Sequence, residues 1–207
     1  VSLYPILDTS QLHGHPLADV LQAAIDGGAT WIQIRHKGDF TRDFVTTLEA
    51  CAKIKPDLIL NDRADYAALF GLGLHVGQGD LPPVEARRII GPHARLGFST
   101  HSAAQLAAAE SLPVDYLAIG PVYPTQSKAN PDPVVGIGPF RSRYPLVAIG
   151  GITLANAAPV LTSGVEMVAV ISALWQPPYT LKSFRDNVST WLHQLSLFKA
   201  SVSSTPR

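Results

Sequence analysis

Short apolar runs rich in β-branched residues alternate with segments of helical periodicity along the whole chain. Eight runs predict strands: Leu3–Leu7, Thr30–Arg35, Leu58–Asn61, Gly73–Val76, Arg95–Ser99, Tyr116–Ile119, Leu146–Gly150 and Met167–Ile171. Between them, apolar positions three and four apart predict helices over Ala18–Asp26, Arg42–Ile54, Pro83–Ile90, Ala103–Glu110 and Ala155–Thr162, with a last helix over Leu181–Leu197. The punctuation agrees. Thr41 stands where the second helix should be capped, Thr153 is placed to start the penultimate one, and Gly27-Gly28 and Gly164 stand where helices should stop. About eight βα units in a chain of this size favour a closed parallel (β/α)8 TIM barrel over residues 1–200, with 201–207 an unstructured tail. An open doubly wound sheet shares the same alternation. Two features favour the barrel. Polar chemistry stands at nearly every predicted strand end, and no dinucleotide fingerprint exists: Gly71-Leu-Gly73 leads into a strand, where a pyrophosphate loop should leave one.

The second strand departs from a plain apolar run. In Trp31-Ile-Gln-Ile-Arg-His-Lys37, side chains two apart share a face, so Gln33, Arg35 and Lys37 point one way and Ile32 and Ile34 the other. Ile32 and Ile34 suit the outer face beneath helices. Two unpaired cations on the inner face would cost on the order of several kcal/mol each, so an anion is expected to meet them. The plainer reading is an exposed edge strand with solvated charges.

Composition narrows the classes. The 207 residues are 46% hydrophobic, enough for one good core, and the formal net charge is zero with no basic run, which leaves no footprint for nucleic acid. The single cysteine, Cys51, excludes a disulfide framework and a cysteine-rich metal site, and its helical setting makes it a small core residue. No apolar stretch nears the roughly 20 residues that span a bilayer, and no signal-peptide pattern opens the sequence. A soluble cytoplasmic protein, free of membrane and with homo-oligomerisation left open, is the expectation.

Candidate chemistry sits at the predicted strand ends. Asn61-Asp62 ends the third strand and Asp80 follows the fourth in His75-Val-Gly-Gln-Gly-Asp80, so a barrel brings both aspartates to one rim, where two carboxylates suit Mg²⁺. Taken singly, each aspartate is also ordinary turn chemistry. Arg63 reads as structural, paired to a nearby acid. Ser99 and His101 follow the fifth strand, with neither a hydrolase triad nor a nucleophile elbow in sight, so Ser99 reads as a substrate-binding hydroxyl. His101 suits packing as well as the site, and His75 reads as a hydrogen-bonded core histidine. After the sixth strand a long connection stiffened by Pro121, Pro124, Pro131 and Pro133 carries Thr125, Gln126, Ser127 and Lys128, an anion grip of hydroxyls and ammonium. Gly150-Gly151-Ile152 and Ile171-Ser172 end the last two strands, where barrels of this kind often bind phosphate through backbone N–H groups and a helix N-terminus. A tight left-handed turn is the alternative there.

In this order the blocks resemble the thiamine-phosphate synthase family: Gln-x-Arg-x-Lys at 33–37, Asn61-Asp62, Gly-Gln-x-Asp at 77–80, Ser99-x-His101, Tyr-Pro-Thr-x-Ser-Lys at 123–128, Gly150-Gly151-Ile152 and Ile171-Ser172. The resemblance implies a TIM barrel that joins 4-amino-5-hydroxymethyl-2-methylpyrimidine diphosphate to hydroxyethylthiazole phosphate and releases pyrophosphate. It implies that Gln33, Arg35, Lys37, Asn61, Ser99 and Lys128 bind the pyrimidine diphosphate, with Arg35, Lys37, Lys128 and Ser99 catalytic. Asp62 and Asp80 would hold Mg²⁺, and Thr125, Gln126, Ser127, Gly151, Ile171 and Ser172 would line the thiazole phosphate site. The chain departs from the family pattern at His36, where many relatives have Glu, and at Gly79, where an acid is frequent. Strand alternation puts His36 on the face away from Arg35 and Lys37, so its influence is expected to be indirect. Two rivals stand beside this reading: a thiazole tautomerase on the same scaffold, which His101 keeps open, and a non-catalytic barrel that binds phosphorylated ligands.

Overall fold

The computed structural model describes residues 2–125 and 132–203. Eight parallel strands close into a barrel in sequence order: β1 (Ser2–Asp8), β2 (Gln33–Arg35), β3 (Ile59–Asn61), β4 (Gly73–Val76), β5 (Leu96–Thr100), β6 (Tyr116–Ile119), β7 (Leu146–Ile149) and β8 (Met167–Val170). β8 returns to pair with β1, with Tyr4 opposite Ala169. The expected (β/α)8 closure therefore holds. Among the described residues seven helices cover the outside: α1 (Leu17–Asp26), α2 (Arg42–Ile54), α3 (Ala64–Phe70), α4 (Pro83–Ile90), α5 (Ala103–Ala109), α6 (Ala157–Leu161) and α7 (Leu181–Ser203). Among the described residues, no helix stands between β6 and β7, and none is long and apolar enough to cross a membrane.

The period-two alternation of the strands builds two separate apolar layers. Outward residues such as Leu7, Ile34, Leu74, Leu117 and Val168 pack with the helices, whereas Tyr4, Ile6, Ile59, Tyr116, Val147 and Met167 fill the barrel interior. The helix ends follow local chemistry. Thr41 Oγ1 accepts the Phe44 N–H at 3.3 Å to cap α2, and Gly27 ends α1. Gly27 also lets α7 close on α1, since a Cβ there would lie 2.8 Å from Val188.

Several boundaries differ from the sequence expectation. β2 is only three residues long, because the ladder begins at Gln33, which lies opposite both Ile6 and Ile59. α3, which follows directly on the Asn61-Asp62 turn, was not expected. Thr153 caps nothing. Its N–H donates to Asn156 Oδ1 at 2.7 Å, and α6 begins only at Ala157. α7 carries helix to Ser203, into the stretch expected to be an unstructured tail.

Candidate active site

Parallel strands deliver all their C-terminal ends to one rim, and there a cavity of about 820 Å³ enters the barrel. Gln33, Arg35, Lys37, Asn61, Asp62, Asp80, Ser99, Thr125, Gly151, Ile171 and Ser172 all line it. Gln126, Ser127 and Lys128 lie outside the described residues.

One wall is charged. The expectation of two unpaired cations is corrected here, because each already has a carboxylate. Arg35 Nη1 pairs with Asp8, a nearly fully buried residue at the end of β1 whose Oδ1 also accepts from Ser10 N at 3.0 Å and Ser10 Oγ at 2.6 Å. Lys37 lies past the end of β2, half exposed, and its ammonium pairs with Asp62. Asp62 adopts the left-handed region at φ +65°, one that Asp tolerates better than most residues, and its N–H donates to His75 O at 2.8 Å. The turned backbone points its carboxyl at Lys37, with Asp80 close enough to act on it. Burial raises the Asp62 pKa above the ordinary carboxylate value, and Asp80 pushes the same way, against the lowering effect of Lys37. Asp80 is itself fixed by the Gly77 N–H, which donates to its Oδ2 at 2.8 Å. Beside them Asn61 is buried, and its Nδ2 has no hydrogen-bond partner among the described residues. A buried amide donor without an acceptor costs about 1–3 kcal/mol, which an incoming oxygen would recover.

The opposite wall is backbone. Gly150 and Gly151 have φ of +102° and +64°, and a Cβ would lie 2.5 Å from Pro121 Cβ at the first and 2.4 Å from Pro124 O at the second. Conformation and crowding both require glycine. Asn156 buttresses the turn, its Nδ2 donating to Gly151 O at 3.0 Å. The helix N-terminus expected behind this turn is not there: α6 starts at Ala157, and Ser172 opens only a three-residue 3-10 turn, Ser172–Leu174.

The floor is a hydrogen-bonded row of polar side chains inside the barrel. Gln33 Nε2 donates to Tyr4 Oη at 2.9 Å, and the Tyr4 and Tyr116 hydroxyls lie 2.8 Å apart. Tyr116 Oη is 2.8 Å from His75 Nδ1, and His75 Nε2 is 2.8 Å from Ser99 Oγ. Burial raises the pKa of both phenols, so each stays protonated. Gly97 makes room for the row, since a Cβ there would lie 2.0 Å from Tyr116 Cζ.

The rim thus carries one wall of paired cations and carboxylates and one wall of glycine backbone. The family model described as thiamine monophosphate synthase matches residues 3–174, a span that takes in both walls and the floor. The chain belongs to the thiamine monophosphate synthase family. The thiamine-phosphate synthase of Koribacter versatilis is 42% identical, over 85% of this chain and 90% of its own. That of Albidiferax ferrireducens is 39% identical, over 83% of each. Among solved structures, the thiamine phosphate pyrophosphorylase from Pyrococcus furiosus superposes with a TM-score of 0.79 at 30% identity, covering 95% of this chain and 96% of that one. The chain is thus an enzyme of thiamine biosynthesis, a transferase of the thiamine-phosphate synthase class.

Within this thiamine monophosphate synthase family member, residues of uncertain standing take definite places. His36 stacks on Phe44 of α2 with ring centroids 3.7 Å apart and shares a 2.7 Å hydrogen bond with Thr9 Oγ1, on the outer layer. His75 is a hydrogen-bonded interior histidine that also lines the cavity. His101 Nδ1 donates to Gly120 O at 2.6 Å, and its Nε2 lies 3.5 Å from Asp132. Arg63 is structural, paired with Asp65 and lying over the rings of Phe40 and Tyr66. Sequence reasoning missed Asp8, Tyr4, Tyr116, Gly97 and Asn156. Asp8 carried a usable signal, a carboxylate ending a predicted strand; the others depend on contacts far apart in sequence.

Proposed function

We propose that the enzyme joins 4-amino-5-hydroxymethyl-2-methylpyrimidine diphosphate to hydroxyethylthiazole phosphate with release of pyrophosphate. The observation that carries this reading is one cavity with two unlike walls, the Arg35 and Lys37 ion pairs on one side and the Gly150-Gly151 turn on the other, which a single phosphorylated ligand would leave half unused. Gln33, Arg35, Lys37, Asn61, Ser99 and Lys128 are assigned to the pyrimidine diphosphate. Thr125, Gln126, Ser127, Gly151, Ile171 and Ser172 are assigned to the thiazole phosphate.

The metal requirement is argued from the donor set. Among the described residues no cluster of three or more His, Cys, Asp or Glu side chains is placed to hold an ion. Asp62 and Asp80 nevertheless set two interacting carboxylates on one rim of the cavity, with Lys37 as the neighbouring cation. Such a pair fits Mg²⁺, which takes few protein ligands and completes its shell from phosphate and water. When bound there, Mg²⁺ would neutralise charge on the departing diphosphate.

The protein's own groups divide the remaining work. Arg35, held in place by Asp8, and Lys37 present positive charge to the diphosphate oxygens as the C–O bond breaks and its electron pair leaves with pyrophosphate. The Asn61 amide donates to one of the same oxygens. The pyrimidinylmethyl cation, stabilised by its ring amino group, is captured by the thiazole nitrogen in a new C–N bond. No general base is needed, because the nitrogen attacks with a free lone pair. The glycine turn fixes the thiazole phosphate, which supplies proximity worth up to several kcal/mol. A tautomerase would leave the charged wall without purpose. The test is formation of thiamine phosphate from both substrates with Mg²⁺ and with EDTA. Product that depends on both substrates and on Mg²⁺ supports the reading, and its absence from folded protein that binds both ligands overturns it.

A further inference from the structure

The buried row beneath the cavity has a direction. Each phenol has one proton to give, and both phenols are fully buried and protonated. With Gln33 Nε2 donating to Tyr4, the Tyr4 proton goes to Tyr116 and the Tyr116 proton to His75 Nδ1. The imidazole then carries its proton on Nε2 and donates to Ser99 Oγ. Among the described residues two groups are left over, one at each end: the Ser99 hydroxyl proton, turned away from His75, and the Gln33 carbonyl oxygen, turned away from Tyr4. Both residues line the cavity.

Reversing the row reverses both ends. Gln33 would then accept from Tyr4 and turn its NH₂ to the cavity, while Ser99 would give its proton to His75 and face the cavity with lone pairs alone. An anionic oxygen beside Ser99 disfavours that arrangement, and so does an N–H donor beside Gln33. A ligand carrying an anion at one end and an amino group at the other stabilises a single polarity through five residues on five strands.

We propose that Tyr4, Tyr116 and His75 are positioning residues: they orient Ser99 to donate to an anionic substrate oxygen and Gln33 to accept from an amino group of the same substrate. This rests on the synthase reading, whose pyrimidine diphosphate has both features. Gly97 belongs to the device, since a side chain there would expel Tyr116 from the row.

Nitrogen-15 NMR of the histidine-labelled protein, with His75→Gln to identify the signals, reads the tautomer without any assay of activity. A protonated Nε2 and an unprotonated Nδ1 are expected, and the opposite tautomer overturns the relay. A kinetic cycle of Tyr116→Phe and Ser99→Ala supplies the functional readout. Tyr116→Phe should lower kcat/KM for the pyrimidine diphosphate by about tenfold in the parent enzyme, the scale of a misdirected hydrogen bond to a charged oxygen, and by clearly less, about threefold, in the Ser99→Ala background, where only the Gln33 end remains to be misdirected. Equal losses in both backgrounds mean a merely structural role and refute the proposal. If Tyr116→Phe does not fold, the tautomer of the parent protein decides. If the parent makes no thiamine phosphate, the synthase reading falls, and the tautomer still decides the relay.

Discussion

Gly151→Ala isolates the glycine wall. The added Cβ would stand 2.4 Å from Pro124 O and 2.8 Å from Tyr123 Cβ, and the residue would be held at φ +64°. The left-handed backbone costs about 1–2 kcal/mol for a non-glycine residue. Ordinary carbon contacts lie at about 3.5–4.0 Å, so the turn or the 123–124 segment must move by roughly 1 Å. A displacement of that size at a positioning group costs about 10²-fold in rate. Steady-state kinetics with each substrate varied in turn should show kcat/KM for the thiazole phosphate falling by about 10²-fold. KM for the pyrimidine diphosphate should stay within about twofold. Thermal unfolding should drop by roughly 2–8 °C, the shift that 1–2 kcal/mol produces in a domain of this size. An unchanged thiazole KM with a raised pyrimidine KM would show that the glycine wall serves the other substrate.

Four other outcomes follow from the same geometry. Asp80→Ala should abolish most activity and its Mg²⁺ dependence, measured by product formation across a Mg²⁺ titration; retention of both removes the metal assignment. Because Asp62 has a raised pKa, protons compete with the metal above the ordinary carboxylate range; half-saturating Mg²⁺ should rise as pH falls through that raised value, approaching tenfold per unit below it. Asp8→Ala leaves the Arg35 guanidinium without its buried partner and should cost about 3–5 kcal/mol by urea unfolding, whereas a loss under 1 kcal/mol would mean Arg35 does not depend on it. Phe184→Ala, in the face of α7 packed on the barrel, should cost about 3–5 kcal/mol in the same assay without changing KM for either substrate.

The strand pattern was legible because period-two alternation and parallel burial leave a direct trace: Ile32 and Ile34 outward, Gln33 and Arg35 inward. Helix bounds were less so: α3 was not expected, and α6, expected over Ala155–Thr162, is cut to Ala157–Leu161 behind the Asn156 turn. At the site, the residue types at strand ends pointed to anions. The pairing of Arg35 with Asp8 was not legible, because the two stand 27 positions apart and meet only through the β1–β2 register. The left-handed backbone of Asp62 and the missing helix end behind Gly151 are properties of turns that composition does not encode. The interior row was invisible for a different reason. Its links join residues 29, 112, 41 and 24 positions apart, which come together only when the barrel closes.

The most direct test of the two-wall account is a single turnover with enzyme in excess over the pyrimidine diphosphate, in Mg²⁺, with and without the thiazole phosphate. Pyrophosphate and thiamine phosphate are quantified from the same sample. The account predicts one equivalent of each when both substrates are present. Pyrophosphate without thiamine phosphate, or neither product from folded enzyme that binds both ligands, would contradict it.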